Sequence, residues 1–99
     1  MQLNAQEREW YPKFHQEASK GQEKVSGADA VHFFKRSNLQ MDKLKEIWKL
    51  AAKTASDHLT REEFYVALRL IAYLQNSMQC NEEYVLLNVD VKLPTFEGM

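Results

Sequence analysis

The sequence predicts an all-α domain of two helix–loop–helix units joined by a very short antiparallel β ladder. Three observations lead there. A cap residue followed three positions later by an acid recurs at Asn4/Glu7, Ser26/Asp29 and Thr60/Glu63, the pattern in which each side chain satisfies an orphan backbone donor at a helix start. Apolar residues follow each of these signals at helical spacing. One aliphatic residue, Val25 or Leu59, stands directly before Ser26 and Thr60, placed to supply one strand each to a ladder between the two loops.

Helix one is expected over about residues 5–18, with Trp10, Phe14 and Ala18 at i, i+4 and i+8 as its buried face. Pro12 falls inside it and removes a backbone donor, which predicts a bend or a late start. "SKGQEK" (19–24) reads as a polar loop, and helix two follows over about 27–36 with Ala30, Val31, Phe33 and Phe34. After the "SNLQ" break, helix three runs from Met41 to about 53. At about 100° per residue its apolar positions Leu50, Ile47, Ala51, Leu44, Trp48, Met41 and Ala52 sweep roughly 200°, twice the stripe one core needs. Ile47, Leu50 and Ala51 are expected to face inward, and Leu44, Trp48 and Met41 to face a second helix or a partner. Helix four, over about 61–76, carries Phe64, Ala67, Leu68, Ile71, Ala72 and Leu74 toward the core. A short helix over about 82–88 and an extended tail over 89–99, packed back on the domain, complete the expectation.

At 99 residues the chain forms one domain with a core large enough to stand without staples. A net charge of -1 gives no global attraction for nucleic acid. Cys80 is the only cysteine, which excludes an internal disulfide and fits a reducing compartment. No apolar run approaches the length of a membrane span, and "MQLNAQEREW" is too polar for a signal peptide. His15, His32 and His58 are scattered without metal-ligand spacing, so no zinc site and no cofactor are expected. His15 near Glu17 is the nearest approach to a catalytic dyad and is expected at an exposed helix end. With no phosphate-cradling glycine loop and no nucleophile elbow, no enzyme chemistry is expected.

Two joined helix–loop–helix units are the plan of paired EF-hands. On "VSG" (25–27), "FFKRSNLQMDKLKEIWKLA" (33–51), "LTREEFYVALRLIA" (59–72) and "LPTF" (93–96), the chain resembles the EH domain family, paired EF-hand modules of endocytic and vesicle-trafficking adaptors. Leu39, Leu44, Trp48, Phe64 and Ala67 stand at the family spacing, and the degenerate loops resemble those of the divergent Reps and synergin members. The resemblance implies a cytoplasmic module, peripheral to trafficking membranes, that binds Asn-Pro-Phe-containing adaptors. Carried over by position, the peptide pocket comprises Phe34, Leu44 and Trp48, with Ser37 and Met41 on the rim. Lys45 stands where the family has a small residue, so it either crowds the pocket or favours acidic flanks. The alternative is a divergent scaffold with a closed pocket that assembles a coat or tether complex through another surface. A third reading uses the ridge Lys45, Lys49 and Lys53 to bind anionic phosphoinositides. Because EH domains usually sit in longer proteins, the chain is expected to be a piece of one.

Calcium binding is not expected. An EF-hand loop needs oxygen donors at positions 1, 3, 5, 9 and 12, with Gly at 6. With Glu63 at position 12, position 1 is Ala52, which has no donor, and Thr54 and Ser56 bring no negative charge. In the first unit, Lys20 and Lys24 interrupt the carboxylates. Glu63 is therefore read as the partner of Thr60 in its capping box.

Overall fold

The computed structural model describes residues 1–99, arranged as five helices and one ladder of two-residue strands. Helix α1 spans Ala5–Ser19, opened by a reciprocal capping box between Asn4 and Glu7 and closed by Lys20 in the left-handed conformation. Strand β1 (Val25–Ser26) leads straight into α2 (Gly27–Phe34). A single 3-10 turn over Lys35–Ser37 follows, ended by Asn38 at φ 64. Helix α3 spans Met41–Ala51, strand β2 His58–Leu59, α4 Arg61–Gln75 and α5 Glu82–Leu86. The strands pair antiparallel, with Val25 opposite Leu59 and Ser26 opposite His58.

The residues chosen at the caps explain most of these boundaries. Thr60 and Glu63 complete a second reciprocal box at α4. Ser26 accepts from the Asp29 amide, but the Asp29 carboxylate does not return the bond; it pairs with Lys20 at 3.3 Å. Helix α3 stops at Ala51 because Ala52 turns to extended backbone. Pro12 causes no late start: α1 begins seven residues before it.

The core is a contiguous cluster with a group of packed rings at its heart. Phe34 stacks on Phe64 with centroids 5.7 Å apart, and Phe33 meets Phe14, Phe64 and Phe96. Aromatic pairs at these separations add to the stabilisation their buried area supplies. The tail lies on this cluster through Phe96, only 4% exposed.

Helix α1 buries Phe14 and Ala18 as expected, but its buried face runs through Glu7 and Tyr11 and leaves Trp10 outside. Its buried residues are Glu7, Tyr11, Phe14, His15, Ala18 and Ser19. Trp10 is 38% exposed, with its ring near Phe14 and the Lys13 ammonium 4.4 Å from its centroid. His15, expected at the surface, is buried: Nε2 lies 2.9 Å from the Glu23 carbonyl and the ring stands edge-on to Phe64. Burial, aided by the nearby Arg61 charge and opposed by the Glu23 carbonyl, holds its pKa below the ordinary histidine value. With Nε2 on the Glu23 carbonyl, His15 joins loop to helix, and Glu17 pairs with Arg36 in place of His15.

The reason α1 buries Glu7 lies in α4. The Arg69 guanidinium, itself buried, donates to both Glu7 carboxylate oxygens and also reaches the Gln2 carbonyl (2.7 Å) and Asn88 Oδ1 (3.1 Å). Tyr11 donates to Glu7 Oε2 at 3.1 Å and the Asn4 amide to Oε1 at 2.9 Å. A forked guanidinium–carboxylate pair with its remaining donors satisfied can tolerate such burial. One network therefore ties the N-terminal segment, α1, α4 and the turn after α5 together.

Candidate functional site

Helix α3 presents an apolar arc too wide for the core to cover. Ile47 (0% exposed), Ala51 (2%) and Leu44 (3%) are buried, Leu50 and Trp48 are half-buried, and Met41 is 41% exposed. Leu44 is thus more deeply placed than expected and Leu50 less so. The uncovered part of the arc turns toward the start of α2, leaving a cleft of about 350 Å³ lined by Gly27, Val31, Met41, Leu44, Lys45, Trp48 and Ser56.

Local chemistry sets the cleft's shape. The Gly27 amide donates to the Asp57 carbonyl at 2.8 Å, fixing the first turn of α2 against the second loop. A Cβ on Gly27 would stand 3.6 Å from Trp48 Cη2, so the indole rests over a helix start that carries no side chain. Val31, one turn further along α2, completes the apolar wall. Two larger hollows, of about 490 and 540 Å³, are lined mostly by polar residues. The α2–α3 cleft combines a half-exposed indole with an aliphatic floor, the composition that suits a buried anchor side chain.

Of the six residues expected at the site, the structure brings Met41, Leu44, Lys45 and Trp48 to the cleft. It does not bring Phe34 or Ser37 there. Phe34 is 1% exposed and spends its ring on Phe64, while Ser37 is buried with its hydroxyl donating to the Phe34 carbonyl at 2.6 Å. Ser37 therefore serves to end α2. Lys45 is exposed at the edge of the cleft and leaves it open. Gly27, Val31 and Ser56 had not been singled out; the i, i+4 spacing of Gly27 and Val31 was the available signal.

In the second loop, the Glu63 carboxylate is taken up by the protein's own donors. Oε2 accepts from the Lys53 amide (2.9 Å), the Thr54 amide (2.9 Å) and the Thr54 hydroxyl (3.1 Å), while Oε1 accepts from the Thr60 amide (2.9 Å). Burial works to raise its pKa, but these bonds outweigh it and hold the carboxyl below its ordinary value. No group of three His, Cys, Asp or Glu side chains converges anywhere in the chain. Of the lysine ridge, Lys53 is paired with Glu82, while Lys45 and Lys49 are exposed.

A family model described as "EH domain" matches residues 3–92. The chain belongs to the EH domain family, a family of protein-interaction modules. It is similar to EH domain-containing protein 1 of Arabidopsis thaliana, 35% identical over 95 residues that cover 93% of this chain and 17% of that protein. It is also similar to human epidermal growth factor receptor substrate 15, 36% identical over 87 residues covering 87% of this chain and 10% of that protein. The actin cytoskeleton-regulatory complex protein END3 of Meyerozyma guilliermondii is 36% identical over 75 residues, 72% of this chain and 20% of that protein. The chain thus spans a fifth or less of these relatives' length. Among solved structures, the second EH domain of AtEH1/Pan1 superposes with a TM-score of 0.82 at 28% identity, covering 98% of this chain and 97% of that one. No helix of this EH domain is long and apolar enough to cross a membrane.

Proposed function

We propose that this EH domain is a recognition module of endocytic or vesicle-trafficking machinery, on the cytoplasmic side of the membrane, that takes Asn-Pro-Phe-type peptides into the α2–α3 cleft without calcium. The observation that carries this reading is the half-buried Trp48 beside Leu44 and Val31, in a cleft of about 350 Å³ whose lining is mostly apolar. A cleft this size buries one aromatic ring and little more, so single contacts are weak and several linked motifs supply avidity. Lys45 at the edge adds a cation that attracts acidic residues beside the motif. Glu63 supports calcium independence, because its oxygens already accept four bonds from the loop. The pairing of Lys53 with Glu82 leaves less of the lysine ridge for anionic lipid and favours the peptide. The open cleft likewise favours recognition there over a scaffold role with a closed pocket.

A nuclear magnetic resonance titration with an Asn-Pro-Phe peptide, run in chelator and again in millimolar calcium, tests the reading. The Trp48 indole and the Gly27 and Val31 amides should shift equally in both conditions, and Trp48→Ala should abolish saturation. Absence of shifts at those three residues at millimolar peptide would overturn it.

A further inference from the structure

A second peptide-shaped groove lies between α1, α2, the turn after α2 and the last residue of α4, and it shares no residue with the Trp48 cleft. Its occupant is the chain's own tail. Pro94 and Phe96 are buried while Thr95 and Glu97, on either side of Phe96, are exposed, so the segment lies extended with alternate side chains inserted. The Phe96 ring sits 4.4 Å from that of Phe33 and 5.2 Å, edge-on, from that of Phe14. Two residues grip the tail by its backbone alone. The Gln75 carboxamide closes a two-point contact with Thr95, donating to its carbonyl and accepting from its amide, each at 2.8 Å. Arg36 does the same for Glu97: its carbonyl accepts from the Glu97 amide at 2.7 Å and its Nε donates to the Glu97 carbonyl at 2.8 Å. Arg36 is held in place by Glu17 at 3.2 Å and lies 5.4 Å over the Phe33 ring.

Every one of these four hydrogen bonds goes to main chain, at the alternate residues Thr95 and Glu97, while the side chains of Pro94 and Phe96, which alternate with them, are buried. That division is how receptors recognise extended peptides: main-chain bonds hold any sequence, and pockets for alternate side chains choose among them. We propose that this groove is a second peptide receptor, occupied in cis by Leu93–Glu97, whose occupant in trans is an extended partner segment carrying Pro and Phe two residues apart. The tail is a tethered competitor at high effective concentration, so a partner gains access only as the tail withdraws. Between Val89 and Thr95 the tail's backbone makes no hydrogen bond to the rest of the domain, so that stretch is held by side-chain packing of Val91 and Leu93. The front cleft stays free whether the tail is in or out, so one module can hold two motifs.

The test uses the full chain and the probe peptide KLPTFEGM, which copies residues 92–99. In the Phe96→Ala chain the tail loses its anchor, and the probe should shift the Gln75 side-chain amide and the Arg36 and Phe33 amides saturably, with at least tenfold higher affinity than for the wild-type chain. A probe with Ala in place of Phe should produce no shifts, and Trp48 should be unmoved throughout. Equal probe affinity for both chains, or shifts centred on Trp48, would overturn the proposal. Should Phe96→Ala fail to fold, amide exchange in the wild-type chain decides: the Thr95 and Glu97 amides should exchange at least tenfold faster than the interior amides of α4. Exchange of all these amides at one common rate would make the tail a fixed part of the core and end the proposal.

Discussion

The two helix–loop–helix units share a plan, but α2 of the first and α3 of the second place their aromatic residues in opposite ways. In the first, Phe14, Phe33 and Phe34 are all buried, and the tail adds Phe96 to cover what remains. In the second, α3 keeps Trp48 half-buried and Met41 exposed beside an open cleft. Their tryptophans make the contrast sharper. Trp10 is the more exposed, yet its ring lies tilted beside that of Phe14 with the Lys13 ammonium over it, and it borders no cleft. An indole therefore marks a binding site through the unfilled volume beside it, and its exposure alone says little.

The largest effect belongs to Arg69→Met, at the pair that ties α4 to Glu7 of the first unit. It strands the Glu7 carboxylate in the core, and removing one member of a buried pair costs about 3–5 kcal/mol. Thermal unfolding should fall by roughly 15 °C or more for a chain of this size. A drop of only a few degrees would show that the network contributes little. Trp48→Ala in the open unit should do the reverse, lowering peptide affinity at least tenfold while costing only about 1 kcal/mol of stability. Glu63→Gln sits between these, removing an anionic acceptor shared by four donors, at about 1–2 kcal/mol at neutral pH.

The sign of the pH dependence follows from the same carboxylate. Its folded pKa lies below the ordinary 4.5, so the unfolded chain binds the proton more readily. The stabilisation is fully present above that value and is lost as pH falls toward the folded pKa. Wild type and Glu63→Gln should converge in stability during acid titration; a constant gap down to pH 2 would contradict the assignment. The smallest effect belongs to Trp10→Ala, within about 0.5–1 kcal/mol and without change in peptide affinity. A larger loss would mean that the Lys13–Trp10–Phe14 stack is part of the core after all.

What the sequence made legible was local. Capping pairs three residues apart and apolar repeats three or four apart fall within one helical turn, and they located four helices and the ladder to within a residue or three. Glu7 shows where that vision stops. Its bond to Asn4 is written in the pattern, but its bond to Arg69 spans 62 positions and leaves no periodic trace. The same distance effect hid one end of the buried face of α1: a tryptophan outranks a glutamate on any hydrophobic scale, and only the partner on α4 reverses the order. Phe34 was misplaced because likeness by position reports a backbone site, while the direction of its larger ring was settled by Phe64 across the core.

The Val25–Leu59 and Ser26–His58 pairings look slight, two residues from each loop. Yet α2 closes the first unit and α3 opens the second, so the walls of the cleft belong to different halves of the molecule. The handclasp between the loops, continued by Gly27 and Asp57, sets how far apart those walls stand. Neither half owns the proposed receptor by itself, and a change made at the tip of one loop should be felt as altered grip on a peptide it never touches.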